Sequence, residues 1–259
     1  MTLLDDDKDT KGDGVTDPSA RAEADRMTLG EHLGELRGRL VKSVGALLVG
    51  TIIGFLLSNR ALDFLVDPYC EAQKGKSCQL VVIDPLEGFS TRIKLALFIG
   101  FILAAPVLLW QLWRFVTPGL HKNEKRYAIP FIVSSVVLFT AGAAVAVGTF
   151  PKALDFLIAV GGPNLVPLFS PSKYLRLYLL VVMAFGISFE FPILLVFLQL
   201  AKILKSAQLR KWRRGAIIGI FVFAAVVTPS QDPITLLAMA GPMYLFYEAS
   251  ILIGKLLKR

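Results

Sequence analysis

Charge is scarce in this chain: 19% of its 259 residues are Asp, Glu, Lys or Arg, against about 25% in soluble domains. Cysteine and histidine are scarcer, with two of each. No stretch shows the short strands alternating with amphipathic helices that a soluble α/β enzyme needs, so that class is excluded. A 54% hydrophobic content excludes intrinsic disorder. The phosphate-cradling pattern G-x-x-x-x-G-K-[ST] is missing, which removes that route to nucleotide hydrolysis. His32 and His121 both lie in polar segments, so no apolar run holds a histidine to activate a serine. There is no H-E-x-x-H pair to bind zinc. Neither catalysis nor a metal or cofactor is expected.

The apolar residues fall in blocks separated by short charged segments. A helix needs about 20 apolar residues to cross a hydrocarbon layer of about 30 Å. Six candidate spans follow, at 41–58, 93–113, 128–150, 174–200, 215–227 and 234–254. The expected fold class is thus an all-α membrane protein with six transmembrane helices. Lys and Arg collect on the cytoplasmic side of such proteins. Nineteen of the 28 lie in 1–39, in the connections after spans two and four, and in the tail; six lie in the alternate connections. Lys42, Lys94 and Arg176 sit just inside span ends, where they can snorkel. Both termini are therefore expected in the cytoplasm, and topology accounts for the net charge of +8. Residues 1–26 are acidic and hold no apolar run of the kind a cleavable signal peptide carries. They are expected to form a disordered cytoplasmic extension, 27–255 the six-span membrane domain, and 256–259 a basic cytoplasmic tail.

The two outer connections, 59–92 and 151–173, carry Leu, Phe and Pro rather than linker residues. They are expected to form short helices on the outer membrane face, with Leu154, Phe156 and Leu157 turned toward lipid. Cys70 and Cys78 share the first connection, in a compartment that permits a disulfide; the alternative is two unpaired thiols. Span 215–227 offers only about 20 Å of helix, and Thr228-Pro229-Ser230-Gln231-Asp232-Pro233 then reverses the chain. Such a hairpin thins the bilayer locally or keeps its tip below the surface, unless Arg214 and Asp232 merely snorkel.

Three polar features stand out from this apolar background. In M-T-L-G-E-H-L-G-E-L-R-G-R-L, Thr28 and Glu31 read as a capping box, and Leu29, Leu33, Leu36 and Leu40 form one apolar stripe. An amphipathic helix therefore leads into span one, with Glu35 and Arg39 four residues apart on its polar face, the spacing of an ordinary ion pair. The connection F-V-T-P-G-L-H-K-N-E-K-R places Glu124 among basic residues, where it is either a solvated charge or a ligand for cations. Glu190, in F-G-I-S-F-E-F-P-I, lies two-thirds of the way along span four, where an acid costs a few kcal/mol on insertion scales. It must meet a partner, a protein interior or water, either as helix glue or as a functional group. Pro192 bends the helix beside it. Glu248, near the end of span six, reads as an ordinary boundary charge.

These motifs, with D-P-L-E-G-F before span two and T-P-S-Q-D-P between the last spans, resemble in order and position those of TatC, the receptor subunit of the twin-arginine protein translocase. The resemblance covers roughly residues 27–255. It implies a curved, glove-like wall of six helices in the plasma (inner) membrane. It also implies binding of twin-arginine signal peptides of folded cargo, assembly with TatA-type and TatB-type single-span subunits and with further copies of itself, and export driven by the proton-motive force. The two signal-binding glutamates of the family fall on Glu35 and Glu124, its intramembrane glutamate on Glu190 and its outer-hairpin acid on Asp232. Arg37, Arg39, Phe115, Pro118 and Leu120 match other positions of the cytoplasmic patch. The extension 1–26 and the pair Cys70/Cys78 lie outside the pattern.

The residues make independent sense of that role. Neighbouring side chains of an extended peptide point in opposite directions, so two arginines need two acceptors from two segments. A carboxylate accepts two parallel hydrogen bonds from a planar guanidinium, which an ammonium cannot reproduce. Glu190, with no internal partner apparent among the span residues, reads as a docking point for polar groups of a neighbouring helix or an inserted signal. The rival reading is a proton-coupled small-solute transporter using Glu190. Such folds show paired repeats with broken helices, which this sequence lacks, and the cytoplasmic acid pair would have no task.

Overall fold

The computed structural model describes residues 29–72, 80–116, 128–162 and 169–256. Among these the chain forms eight helices and no strand: α1 Leu29–Ala72, α2 Glu87–Val116, α3 Ala128–Val160, α4 Pro171–Ser188, α5 Phe191–Leu200, α6 Ser206–Lys211, α7 Arg213–Val227 and α8 Pro233–Leu256. Five stretches are long and apolar enough to cross a membrane: Gly34–Asp67, Glu87–Phe115, Ile129–Val160, Pro171–Leu200 and Pro233–Leu256. The remaining expected span, now α7, has 15 residues, about 22 Å of helix. It falls short of that standard, as its apolar run foretold. Residues 1–28, 73–79, 117–127, 163–168 and 257–259 lie outside the described residues, and with them Thr28, Cys78, Pro118, Leu120, Glu124, the extension 1–26 and most of the tail.

Helix α1 is a single 44-residue rod, about 66 Å long and twice the hydrocarbon thickness. It joins the amphipathic lead-in, span one and the beginning of the first outer connection. It packs on α2 at a seam of small residues. A Cβ on Gly54 would lie 2.4 Å from the Ala96 carbonyl oxygen, one on Gly50 2.6 Å from that of Gly100, and one on Gly100 2.5 Å from the Thr51 nitrogen. The spacings Gly50-x-x-x-Gly54 and Ala96-x-x-x-Gly100 bring the two backbones into van der Waals contact. Where lipid removes the hydrophobic drive for association, that contact is what binds two helices.

The outer connections depart from expectation. Residues 59–72 continue α1, and 151–160 continue α3 through Pro151, so neither forms a separate helix lying on the membrane. The reason is packing. Leu154 is fully buried with Leu65, Tyr69, Phe150 and Tyr174, so of the side chains read as lipid-facing it meets other helices instead, whereas Phe156 is exposed and Leu157 half-buried. Tyr174 donates its hydroxyl to the Leu65 carbonyl at 2.6 Å, and the rings of Phe150 and Tyr178 meet edge-on with centroids 4.5 Å apart. From there the core runs through Phe185 and Phe189 to Met239, Met243 and Tyr247 of α8. Cys70, near the end of α1, is disulfide-bonded.

Span four is broken. Phe189 and Glu190 form a turn between α4 and α5. Pro192 has no N–H for the Ser188 carbonyl, and its ring crowds that turn. The break separates α4 from the short α5, which packs on α8.

Candidate functional site

At one end of the molecule α1 and α2 form a polar hollow of about 250 Å³, lined by Glu35, Gly38, Arg39, Lys42, Gln111 and Arg114. Glu35 and Arg39 stand one helical turn apart and are ion-paired. The Arg39 guanidinium also donates to the Gln111 carbonyl of α2 at 3.3 Å. Its side chain is only 12% exposed and that of Glu35 29%, so the pair sits against α2 rather than in open water. Arg37, two residues from each, lies at about 200° around the helix and is solvent-exposed. Of the expected patch, the structure therefore brings Glu35 and Arg39 together at the end of α2, with Phe115 half-buried beyond Arg114 and Arg37 on another face. Pro118, Leu120 and Glu124 belong to the segment outside the described residues.

Next to the hollow along α2, where Trp113 lies between Gln111 and Arg114, three helices contribute one polar group each to a chain of hydrogen bonds. Trp113 of α2 donates its indole N–H to Ser135 Oγ of α3 at 2.6 Å. Ser135 donates to Glu190 Oε2 at the α4–α5 break. Ser135 is wholly buried, and the Trp113 ring is clasped by Phe131 and Phe197 at centroid distances of 5.4 and 5.5 Å. This corrects the expectation that Glu190 lacks an internal partner: Ser135 is one. Nothing in the sequence marked Ser135 or Trp113, because single serines and tryptophans pass unnoticed in an apolar run. A second buried node links α5 to α8, where Gln199 donates to the Ser250 carbonyl at 3.1 Å and accepts from Ser206 at 2.9 Å.

The opposite end carries acids of another kind. Asp232 is 1% exposed. Its Oδ1 accepts the N–H of Ile234 at 3.0 Å and of Thr235 at 2.8 Å, while Oδ2 accepts the Thr235 hydroxyl at 2.6 Å. With Pro233 in the first position of α8, this is an N-cap. Burial pushes the carboxyl up, but hydrogen bonds from Ser230, Thr235 and Ile234 outweigh it and hold Asp232 below its ordinary value. Neither oxygen is left over, so Asp232 holds the hairpin rather than snorkelling. Glu87 behaves alike: Oε2 accepts the Ile83 N–H at 3.0 Å, and Oε1 accepts the Ser172 N–H at 3.1 Å in the first turn of α4. The motif D-P-L-E-G-F thereby ties the start of α2 to the start of α4. Glu248 pairs with Arg213 at 2.6 Å, the boundary role expected of it.

Comparison with known proteins bears on the same arrangement. Residues 31–242 match the family described as Sec-independent protein translocase protein (TatC). The chain is 40% identical over 242 residues to the Sec-independent protein translocase protein TatC of Frankia casuarinae, covering 90% of this chain and 66% of that protein. To the protein of the same name from Aquifex aeolicus it is 40% identical over 236 residues, covering 90% of this chain and 97% of the relative. A solved structure described as the twin arginine translocase receptor TatC superposes with a TM-score of 0.71 at 39% identity, across 88% of this chain and 100% of that one.

Proposed function

Because the chain belongs to the TatC family of Sec-independent protein translocase components, a non-enzymatic family, we propose that it is the receptor subunit for twin-arginine signal peptides. Glu35 and Glu124 act as the two acceptors for the paired arginines of an export signal, with Arg37, Arg39, Phe115, Pro118 and Leu120 around them. Glu190 serves as an intramembrane docking point. Both termini face the cytoplasm, α7 is the fifth and shortest span, and the protein resides in the plasma membrane. It works with TatA-type and TatB-type single-span partners and further copies of itself, using the proton-motive force. A Cys70–Cys78 bridge on the outer side closes the first outer connection.

The observation that carries this reading is the position of Glu35. It stands in a hollow with Arg39, Lys42, Gln111 and Arg114, at the end of α2 from which the chain continues toward Glu124. An arriving guanidinium competes with Arg39 for a carboxylate that is already partly desolvated, where charge-assisted bonds gain strength. The test is binding of a twin-arginine peptide to the full chain in lipid nanodiscs. Glu35→Ala and Glu124→Ala each lower affinity about a hundredfold, the loss of a paired charged hydrogen bond. Undiminished binding in both variants overturns the reading and returns the transporter alternative to the lead.

A further inference from the structure

The first link of the hydrogen-bond chain ending on Glu190 has a direction that chemistry fixes. An indole N–H donates and never accepts. Trp113 Nε1 lies 2.6 Å from Ser135 Oγ, so the serine oxygen must take that proton as acceptor. The Ser135 hydroxyl proton then points to Glu190 Oε2. Oε2 is thus the oxygen of Glu190 that Ser135 holds. The second oxygen, Oε1, is buried and has no hydrogen-bond partner among the described residues.

An acid serving only as helix glue would use both oxygens, as Asp232 and Glu87 do. Glu190 uses one. The apparatus holding that one is rigid: Ser135 is fully enclosed, and the Trp113 ring is wedged between Phe131 and Phe197. At the turn before α5 the Glu190 N–H still bonds to the Ile187 carbonyl of α4 at 3.1 Å, while its carboxyl is held from α3 by Ser135.

We propose that Trp113 and Ser135 are positioning residues for Glu190. By holding Oε2 they fix where the Glu190 carboxyl stands for its docking role. The inference deepens, and rests on, the reading of Glu190 as an intramembrane docking point.

Two measurements test it and separate its failure from that of the docking reading. In the full chain carrying Trp110→Phe and Trp212→Phe, reconstituted in nanodiscs, Trp113 is the only indole. Its emission maximum shifts on Ser135→Ala and also on Glu190→Ala if the chain of bonds is continuous. A shift with Ser135→Ala alone overturns the proposal. In cells exporting a twin-arginine reporter, Ser135→Ala lowers the export rate about tenfold, the effect of one hydrogen bond to a charged group. Ser135→Cys, which keeps a weak donor, restores part of that loss. In a Glu190→Gln background Ser135→Ala has no further effect, since both changes act through one group; multiplying losses contradict the proposal. Should Glu190→Gln leave export untouched, the docking reading falls while the emission experiment still decides whether the relay exists.

Discussion

The two ends of the molecule hold acids under opposite terms. At the end bearing the α7–α8 hairpin, Asp232 and Glu87 use both oxygens: Asp232 accepts two N–H groups of α8 on Oδ1 and the Thr235 hydroxyl on Oδ2, and Glu87 accepts one N–H on each. Toward the other end, Glu190 spends one oxygen on Ser135, and Glu35 faces a hollow where Arg39 is shared with the Gln111 carbonyl. Fully satisfied carboxylates fix helix ends. Glu190, with one oxygen held and the other without a partner among the described residues, is placed yet can still bind something. The first pair is buried and the second half-buried, so burial and the filling of acceptor positions go together.

Substitutions at the first pair should therefore alter stability, and at the second pair recognition. The largest stability effect is expected from Asp232→Ala, which removes the cap of α8 in a buried setting and costs about 2 kcal/mol. A drop in the thermal midpoint of the chain in detergent, with twin-arginine peptide affinity retained, is the measurement. Glu87→Gln follows with a smaller drop, because an amide oxygen still accepts one of the two N–H groups; equal drops for both variants would blur the comparison. Acid titration gives a finer check. The Asp232 carboxyl lies below its ordinary value in the folded chain, so the stability it contributes is complete above the unfolded value of about 3.9 and is lost as pH falls through the folded one. Thermal midpoints measured below about pH 4 should fall less steeply in Asp232→Asn than in the unaltered chain. The smallest effect is Arg39→Gln, which removes an ion pair between neighbouring turns worth about 0.5 kcal/mol. Its thermal midpoint moves little, whereas signal-peptide affinity changes because Glu35 loses its resident guanidinium.

Much of this was legible in the residues. Glu190 announces itself as a lone acid in an apolar run, the brevity of 215–227 foretells the short α7, and Pro192 marks the break beside Glu190. Glu35 and Arg39 at four-residue spacing announce their pair. Other features depend on tertiary contacts. That 59–72 and 151–160 extend existing helices follows from the burial of Leu65, Tyr69 and Leu154 against Tyr174, and no local pattern encodes that partner. The glycine seam between α1 and α2 was readable in principle from Gly50, Gly54, Ala96 and Gly100, since small residues four apart are the mark of close membrane packing. Ser135 and Trp113 carried no signal at all. Serine is cheap in a span, tryptophan is common near its ends, and only folding reveals that both serve Glu190.

The most direct test of the account is titration of the nanodisc-embedded chain with a twin-arginine peptide and its twin-lysine counterpart, in the unaltered protein and in Glu35→Gln. A carboxylate gripping a planar guanidinium predicts an arginine preference of about tenfold that collapses in Glu35→Gln, because the amide has lost both the charge and the paired acceptors. Equal affinity for the two peptides, or an arginine preference that survives the substitution, would contradict it.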